Sequence, residues 1–221
     1  MRAIKGRQIA LFLLLLLLIM VLALLTTALL DTPALGDFRG VLLVLCALLL
    51  VYLYAILIYR ALLFVLPLKE GSVAEHTPEE TIANLNILFY LLLFNSLIRT
   101  HFLPVPLLRL LYLALGARLG SNTYCAGVIL DPPLTEIGSN SIVGHDAVIF
   151  SHVIEGERLE LRAVRIGSNV TIGATAVIMA GVQIGDGSII SAGAVVTKDS
   201  RIGAGEVWGG IPARKLKSLN G

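Results

Sequence analysis

Hydrophobic positions fall into two regimes along the chain. From Ile9 to Leu30 there are 22 residues without a charge, and Gly40 to Leu66 is a second apolar run broken only by Arg60 and closed by Pro67. Each reaches the ~20 residues a helix needs to cross a bilayer. From Leu119 onward the pattern has period six. Positions 119, 125, 131, 137, 143 and 149 carry Leu, Cys, Asp, Ile, Val and Ile. After an excursion at 155–165 the count resumes at 166, 172, 178, 184, 190, 196 and 202 with Ile, Ile, Ile, Ile, Ile, Val and Ile. Gly follows directly at 120, 138, 144, 167, 173, 185 and 203. A sixfold period suits neither an α-helix nor an alternating strand; it is an internal repeat, and the repeat sets the fold.

Each hexad reads as one short strand and a corner, its aliphatic residue pointing inward. Three hexads close a triangular coil of 18 residues, and coils stack at the strand spacing of ~4.8 Å. Inward residues then pile into ladders, and no hexad buries its apolar residue alone. Four coils fit between 119 and 201, with a partial fifth. Asp131 is the odd rung, because a carboxylate at an inward position is costly unless hydrogen-bonded or turned out. The fold class expected is N-terminal transmembrane α-helices followed by an all-β rod.

Between these regimes Thr77-Pro78-Glu79-Glu80 is a helix start, with Thr as cap, Pro at the first position and Glu three residues on. The helix is expected to run to Arg99 as an interfacial or re-entrant element, because a third span would put the repeats on the opposite side from the N-terminus. Pro104 and Pro106 break the chain, and Leu107–Leu115 reads as a short amphipathic helix that either presents Arg109 to headgroups or caps the first coil. The boundaries are two spans in 1–67, linker helices in 68–118, the repeat domain in 119–208 and a tail in 209–221, with Trp208 covering the last coil.

Composition sharpens this. Apolar residues make up 57% of 221 and mean hydropathy is +0.88, above the ordinary soluble range. A net charge of +2 argues against nucleic acid as partner. The N-terminal Arg2, Lys5 and Arg7 place that end in the cytoplasm, and two spans return the repeats there; the protein is expected in the inner or plasma membrane. Cys46 and Cys125 have no evident partner and read as inert thiols. His76 and His101 read as interfacial.

Residues 166–216, IGSNVTIGATAVIMAGVQIGDGSIISAGAVVTKDSRIGAGEVWGGIPARKL, resemble the hexapeptide-repeat acyltransferases, the family of the galactoside, maltose and serine acetyltransferases. The resemblance covers roughly 119–217 and implies a left-handed parallel β-helix, a homotrimer and acetyl-CoA as co-substrate. It implies His152, in FSHV before the excursion, as general base, although the excursion is shorter than in the sugar acetyltransferases. It implies the backbone N–H of Ala174 as oxyanion donor, Ala192 beside the pantetheine amides, and Thr197 with Lys198 beside the adenosine and phosphate end of CoA. Arg214, Lys215 and Lys217 form a basic cluster suited to CoA phosphates, and the sequence leaves open which of the three makes the contact. Asp131 matches an acidic residue that contacts acceptor hydroxyls. Glu136, Glu155 and Glu157 are the candidates to orient His152, and His145 is read as structural. Related repeats build a zinc carbonic anhydrase from three histidines per site; here only His145 and His152 lie in the repeats, with a different spacing, so no metal is expected.

The function expected is transfer of acetyl from cytoplasmic acetyl-CoA to a hydroxyl of a lipid-linked, saccharide or amphipathic acceptor in the membrane. An amine acceptor is the chemical alternative, and a non-catalytic trimerising scaffold is the structural one. Acetyl-CoA binding to the purified protein separates them: saturable binding below millimolar ligand by calorimetry is expected of the enzyme and no binding of the scaffold.

Overall fold

The computed structural model describes residues 3–100 and 102–219; His101 lies outside the described residues. Helix α1, Gly6–Leu29, and helix α2, Arg39–Val65, form where the Leu-rich runs predict. Their outer faces are bare in the isolated chain, with Leu49 72% and Leu14 62% exposed. Helix α3, Pro78–Phe89, starts at the expected cap, the Thr77 hydroxyl accepting from the Glu80 N–H. It continues through a π turn at Tyr90–Phe94 into helix α4, Asn95–Arg99. Residues 6–29, 36–65 and 78–99 are each long and apolar enough to cross a membrane by length and composition.

The third stretch differs from the first two in being half buried. Its inner face carries polar groups that meet polar groups on α1 and α2. Gln8 Oε1 accepts from Asn84 Nδ2 at 3.0 Å, Lys5 pairs with buried Glu80 at 2.9 Å, and Tyr59 donates to Asn86 Oδ1 at 2.6 Å. Around them Phe12, Tyr59, Phe89 and Phe94 pack with ring centroids 5.3–6.2 Å apart. Buried polar groups pair in this way because one left without a partner out of water costs free energy.

The chain then turns into helix α5, Val105–Leu115, which lies on the first coil. Arg109 donates to the carbonyls of Thr123 and Gly120 at 2.9 and 3.0 Å, so its place is in the cap of the rod. Tyr112, fully buried, donates to the Gly127 carbonyl at 2.8 Å. A repeat stack needs its open end covered in this way.

The rod has three parallel faces. The first stacks Arg118–Leu119, Thr135–Ile137, Val164–Ile166, Gln183–Ile184 and Arg201–Ile202. The second stacks Tyr124–Cys125, Ile142–Val143, Thr171–Ile172, Ile189–Ile190 and Glu206–Gly210. The third stacks Val128–Ile129, Val148–Ile149, Val177–Ile178 and Val195–Val196. Inward residues are buried as the period requires, with Cys125, Ile149, Ile178, Ile190 and Val196 fully enclosed. Corner residues Asn122, Asn140 and Asn169 adopt left-handed φ of 53–57°, which Asn tolerates better than most residues.

Three expectations are corrected. The inward residue of the first coil on the third face is Ile129, paired with Ile149, and Asp131 sits two residues later at the corner. The corner at Ala126-Gly127 is two residues short, and Pro132-Pro133 restores the total of 18 through a 3-10 turn at Pro132–Leu134. The excursion is no loop: His152–Glu155 and Arg158–Leu161 form an antiparallel hairpin, and Gly71–Val73 from the linker adds a third strand. The tail is no tail: Ala213–Ser218 turns back antiparallel on Glu206–Gly210. Trp208 takes the position above Ile190 and packs on the core.

Because each rung is held by the rungs above and below, Ile178→Ala is expected to cost about 2–5 kcal/mol, read as a lowered denaturation midpoint of the full chain in detergent.

Candidate active site

The corner after the third face carries the groups of interest, one coil above another. In the first coil Ile129 points in and Asp131 follows two residues later. In the second coil Ile149 points in and Ser151-His152 follow at the same offset. Stacking therefore sets Ser151 and His152 directly over the Asp131 carboxylate. Its Oδ2 accepts from Ser151 N–H at 2.8 Å and meets His152 Nδ1 at 2.7 Å. Its Oδ1 accepts from Asn86 Nδ2 of α3 at 3.0 Å. Asp131 is 1% exposed, and every contact is with a donor, as an ionised carboxylate out of water requires.

His152 is 25% exposed at its side chain and lies against the Phe150 ring. With the carboxylate on Nδ1, the proton of the neutral ring belongs on Nδ1, and Nε2 is left with its lone pair. Burial, the largest single influence on the ring, lowers its pKa; the hydrogen bond to Asp131 and the charge of Asp131 together outweigh it, and the pKa is raised above the ordinary imidazole value. A partly exposed imidazole with a fixed tautomer and an acidic partner is the arrangement that general-base chemistry needs.

The orienting carboxylate is thus Asp131, where the sequence pointed to Glu136, Glu155 and Glu157. Glu136 pairs with Arg118 and Glu155 with Lys198. Asp131 was expected to face an acceptor, but both its oxygens are taken by the chain's own donors. The signal that would have found its partner is the offset of two from the inward residue, shared by Asp131 and Ser151, once the short corner at Gly127 is allowed for.

The other expected site residues divide between two corners. Ala174 and Ala192 lie on the corner between the second and third faces, and Gly193 N–H donates to the Ala174 carbonyl at 2.9 Å. The Ala174 N–H has no partner among the chain's hydrogen bonds between described residues. Gly144 lies beneath it, and a Cβ there would come within 2.6 Å of that nitrogen. Thr175 beside it holds a φ of 59°, a strained conformation for a β-branched residue of the kind found at functional sites. His145 is on this corner too, its carbonyl accepting from Thr175 N–H at 2.9 Å. Thr197 and Lys198 lie instead on the corner of His152. Thr197 Oγ1 is 3.2 Å from Ser200 Oγ, and Lys198 Nζ donates to Glu155 at 2.7 Å. Arg214 is exposed on the last strand, where Lys215 pairs with Glu206. One chain therefore joins His152 to Asp131 and sets Thr197 and Lys198 two coils away on the same corner, while Ala174 lies on another.

Cys125 is enclosed in the rod, and burial pushes its thiol up to about 12, which makes it a poor nucleophile. Among the described residues no group of three or more His, Cys, Asp or Glu side chains converges as a metal site would require. His145 and His152 occupy different corners.

Comparison with known proteins agrees with this architecture. Residues 163–198 match the family model described as bacterial transferase hexapeptide (six repeats). The structure of a galactoside acetyltransferase in complex with coenzyme A superposes with a TM-score of 0.51 at 24% identity, over 68% of this chain and 88% of that one, which shows the fold, the left-handed parallel β-helix. Among curated proteins, gamma carbonic anhydrase 1, mitochondrial, of Arabidopsis thaliana is 38% identical over 85 residues, 38% of this chain and 26% of that protein. YvoF of Bacillus subtilis (strain 168), provisionally named an acetyltransferase, is 38% identical over 86 residues, 39% of this chain and 49% of that protein. The chain thus spans only about a quarter to a half of the curated relatives it matches.

Asp131→Asn removes the charge that raises the His152 pKa while burial, which lowers it, persists. The His152 pKa is therefore expected to fall in this variant, measured by NMR titration of the imidazole with His152→Ala for assignment.

Proposed function

We propose that the protein, whose rod carries bacterial-transferase hexapeptide repeats, moves an acetyl group from acetyl-CoA to a hydroxyl of a lipid-linked, saccharide or amphipathic acceptor at the membrane. The observation that carries this reading is the 2.7 Å contact of His152 Nδ1 with a buried carboxylate. That carboxylate is anchored by Asn86 to α3, the helix packed against α1 and α2.

In this reading His152 Nε2 takes the proton of the acceptor hydroxyl as its oxygen attacks the thioester carbonyl. The carbonyl oxygen becomes an oxyanion, which the Ala174 N–H stabilises. Collapse breaks the C–S bond, the proton on Nε2 passes to the departing sulfur, and CoA leaves as the thiol with the imidazole neutral again. Thr197, Lys198, Ala192 and Arg214 are the residues proposed to hold CoA. Because Ala174 and His152 occupy different corners of one rod, the reaction needs the Ala174 corner of a second copy beside the His152 corner of the first. This supports the homotrimer. The same base serves an amine acceptor, so O- and N-transfer differ in the acceptor and not in these residues.

The rod is proposed to face the cytoplasm, where acetyl-CoA is found and where the N-terminal basic residues belong. Helices α1 and α2 expose apolar side chains that a soluble enzyme would not keep, and the base lies close to α3; both features suit an acceptor that arrives in the bilayer plane.

His152→Ala is expected to lower acetyl transfer by about 10²–10⁴, assayed with radiolabelled acetyl-CoA and membrane extracts as acceptor; wild-type rates would end the mechanism. The base works only when neutral. Activity should therefore rise with pH through a value above the ordinary imidazole pKa and level off beyond it. In Asp131→Asn that inflection should move to lower pH on a much reduced rate.

A further inference from the structure

Beyond His152 and Asp131, a buried polar line runs on into the helical bundle. Asn86 donates through Nδ2 to Asp131 Oδ1 at 3.0 Å, and its Oδ1 accepts from Tyr59 of α2 at 2.6 Å. Tyr59, Asn86 and Asp131 are 2, 3 and 1% exposed. Donation along the line converges on the carboxylate: the tyrosine hydroxyl donates to the amide oxygen, the amide nitrogen to one carboxylate oxygen, and the imidazole Nδ1–H to the other. An amide has two ends, and here each has a different neighbour, so the Asn86 side chain has one orientation.

We infer that Asn86 and Tyr59 are positioning residues for the base, so that the packing of α2 against α3 sets the imidazole. The inference rests on the reading of His152 as base. A purely structural role, attaching the rod to the helices, is already filled elsewhere. Gly71–Val73 pairs with Arg158–Leu161, Glu70 binds Arg165 and the Ala163 N–H, and α5 seats the first coil. What those attachments do not supply is a donor on Asp131 Oδ1. Without Asn86 the carboxylate keeps Ser151 N–H and His152 on one oxygen and is free to rotate toward either. Burial makes that loss matter, because an unmatched carboxylate oxygen out of water costs more than a hydrogen bond returns.

The proposal also assigns a purpose to polar residues in an apolar stretch. Asn86 lies on a helix whose neighbouring Leu85, Ile82 and Phe89 are fully buried; the interhelix bond to Tyr59 uses one end of its amide, and the other end reaches Asp131.

The test uses the full chain in nanodiscs, with ¹⁵N-labelled histidine and acetyl transfer measured in parallel. Asn86→Leu is expected to lower kcat on the order of tenfold or more, the usual effect of removing a partner behind a functional imidazole. KM for acetyl-CoA should stay unchanged, and the His152 ring nitrogens should lose the signature of a single Nδ1–H tautomer. Tyr59→Phe, nearly isosteric, should act in the same direction and more weakly; it carries the test where Asn86→Leu fails to fold. Wild-type kcat in a folded variant, or a fall in kcat with an unchanged His152 spectrum, overturns the inference. If His152→Ala itself transfers normally, the acyltransferase reading fails, while the tautomer measurement still decides whether Asn86 positions the ring.

Discussion

A carboxylate held out of water must be met by donors on every side it presents, and Asp131, 1% exposed, is such a group. Three donors from two parts of the chain answer it: an amide on a helix, and a backbone N–H and an imidazole side by side in the next coil. Helices, rod and site therefore meet at one side chain. Disturbing any of the three partners is felt by the other two, which is the general behaviour of buried polar networks.

The ladders make this geometry repeatable. Inward Ile and Val rows give the rod little freedom to slip, since a shift of one residue would turn every aliphatic side chain outward. A corner residue two positions after a buried one is therefore held to within the tolerance of strand pairing. That is why Ser151 and His152 arrive over Asp131, and why a two-residue shortening at Gly127 is tolerated only with a matching lengthening at Pro132-Pro133. Gly144 and Ala174 obey the same constraint on the next corner, where close stacking leaves no room for a Cβ.

The helices add what the rod lacks. In the rod alone Asp131 Oδ1 would have no donor. Helix α3 is unlike α1 and α2 because its inner face is polar at Glu80, Asn84 and Asn86, and each of these is answered by Lys5, Gln8 or Tyr59. Its burial is thus a matter of hydrogen bonding as much as of hydrophobic contact. The hairpin that begins with His152 is tied to the linker through Gly71–Val73, so His152 is held both through Asn86 of α3 and through this strand.

Much of this was legible in the chain itself. Uninterrupted apolar runs specify helices, the period of six specifies stacked three-strand coils, and Thr77-Pro78 with Glu80 specifies where α3 starts, because each rests on neighbours a few residues apart. His152 stood out by its place before an interruption of the repeat. What the sequence left open was everything that joins distant segments: the displacement of Asp131 from the ladder, its partnership with His152 21 residues on and Asn86 45 residues back, and the return of Ala213–Ser218 as a strand. Hydrophobic burial is non-directional and leaves a periodic trace along a chain. A hydrogen bond depends on where two particular atoms lie in space, and only the folded structure decides that.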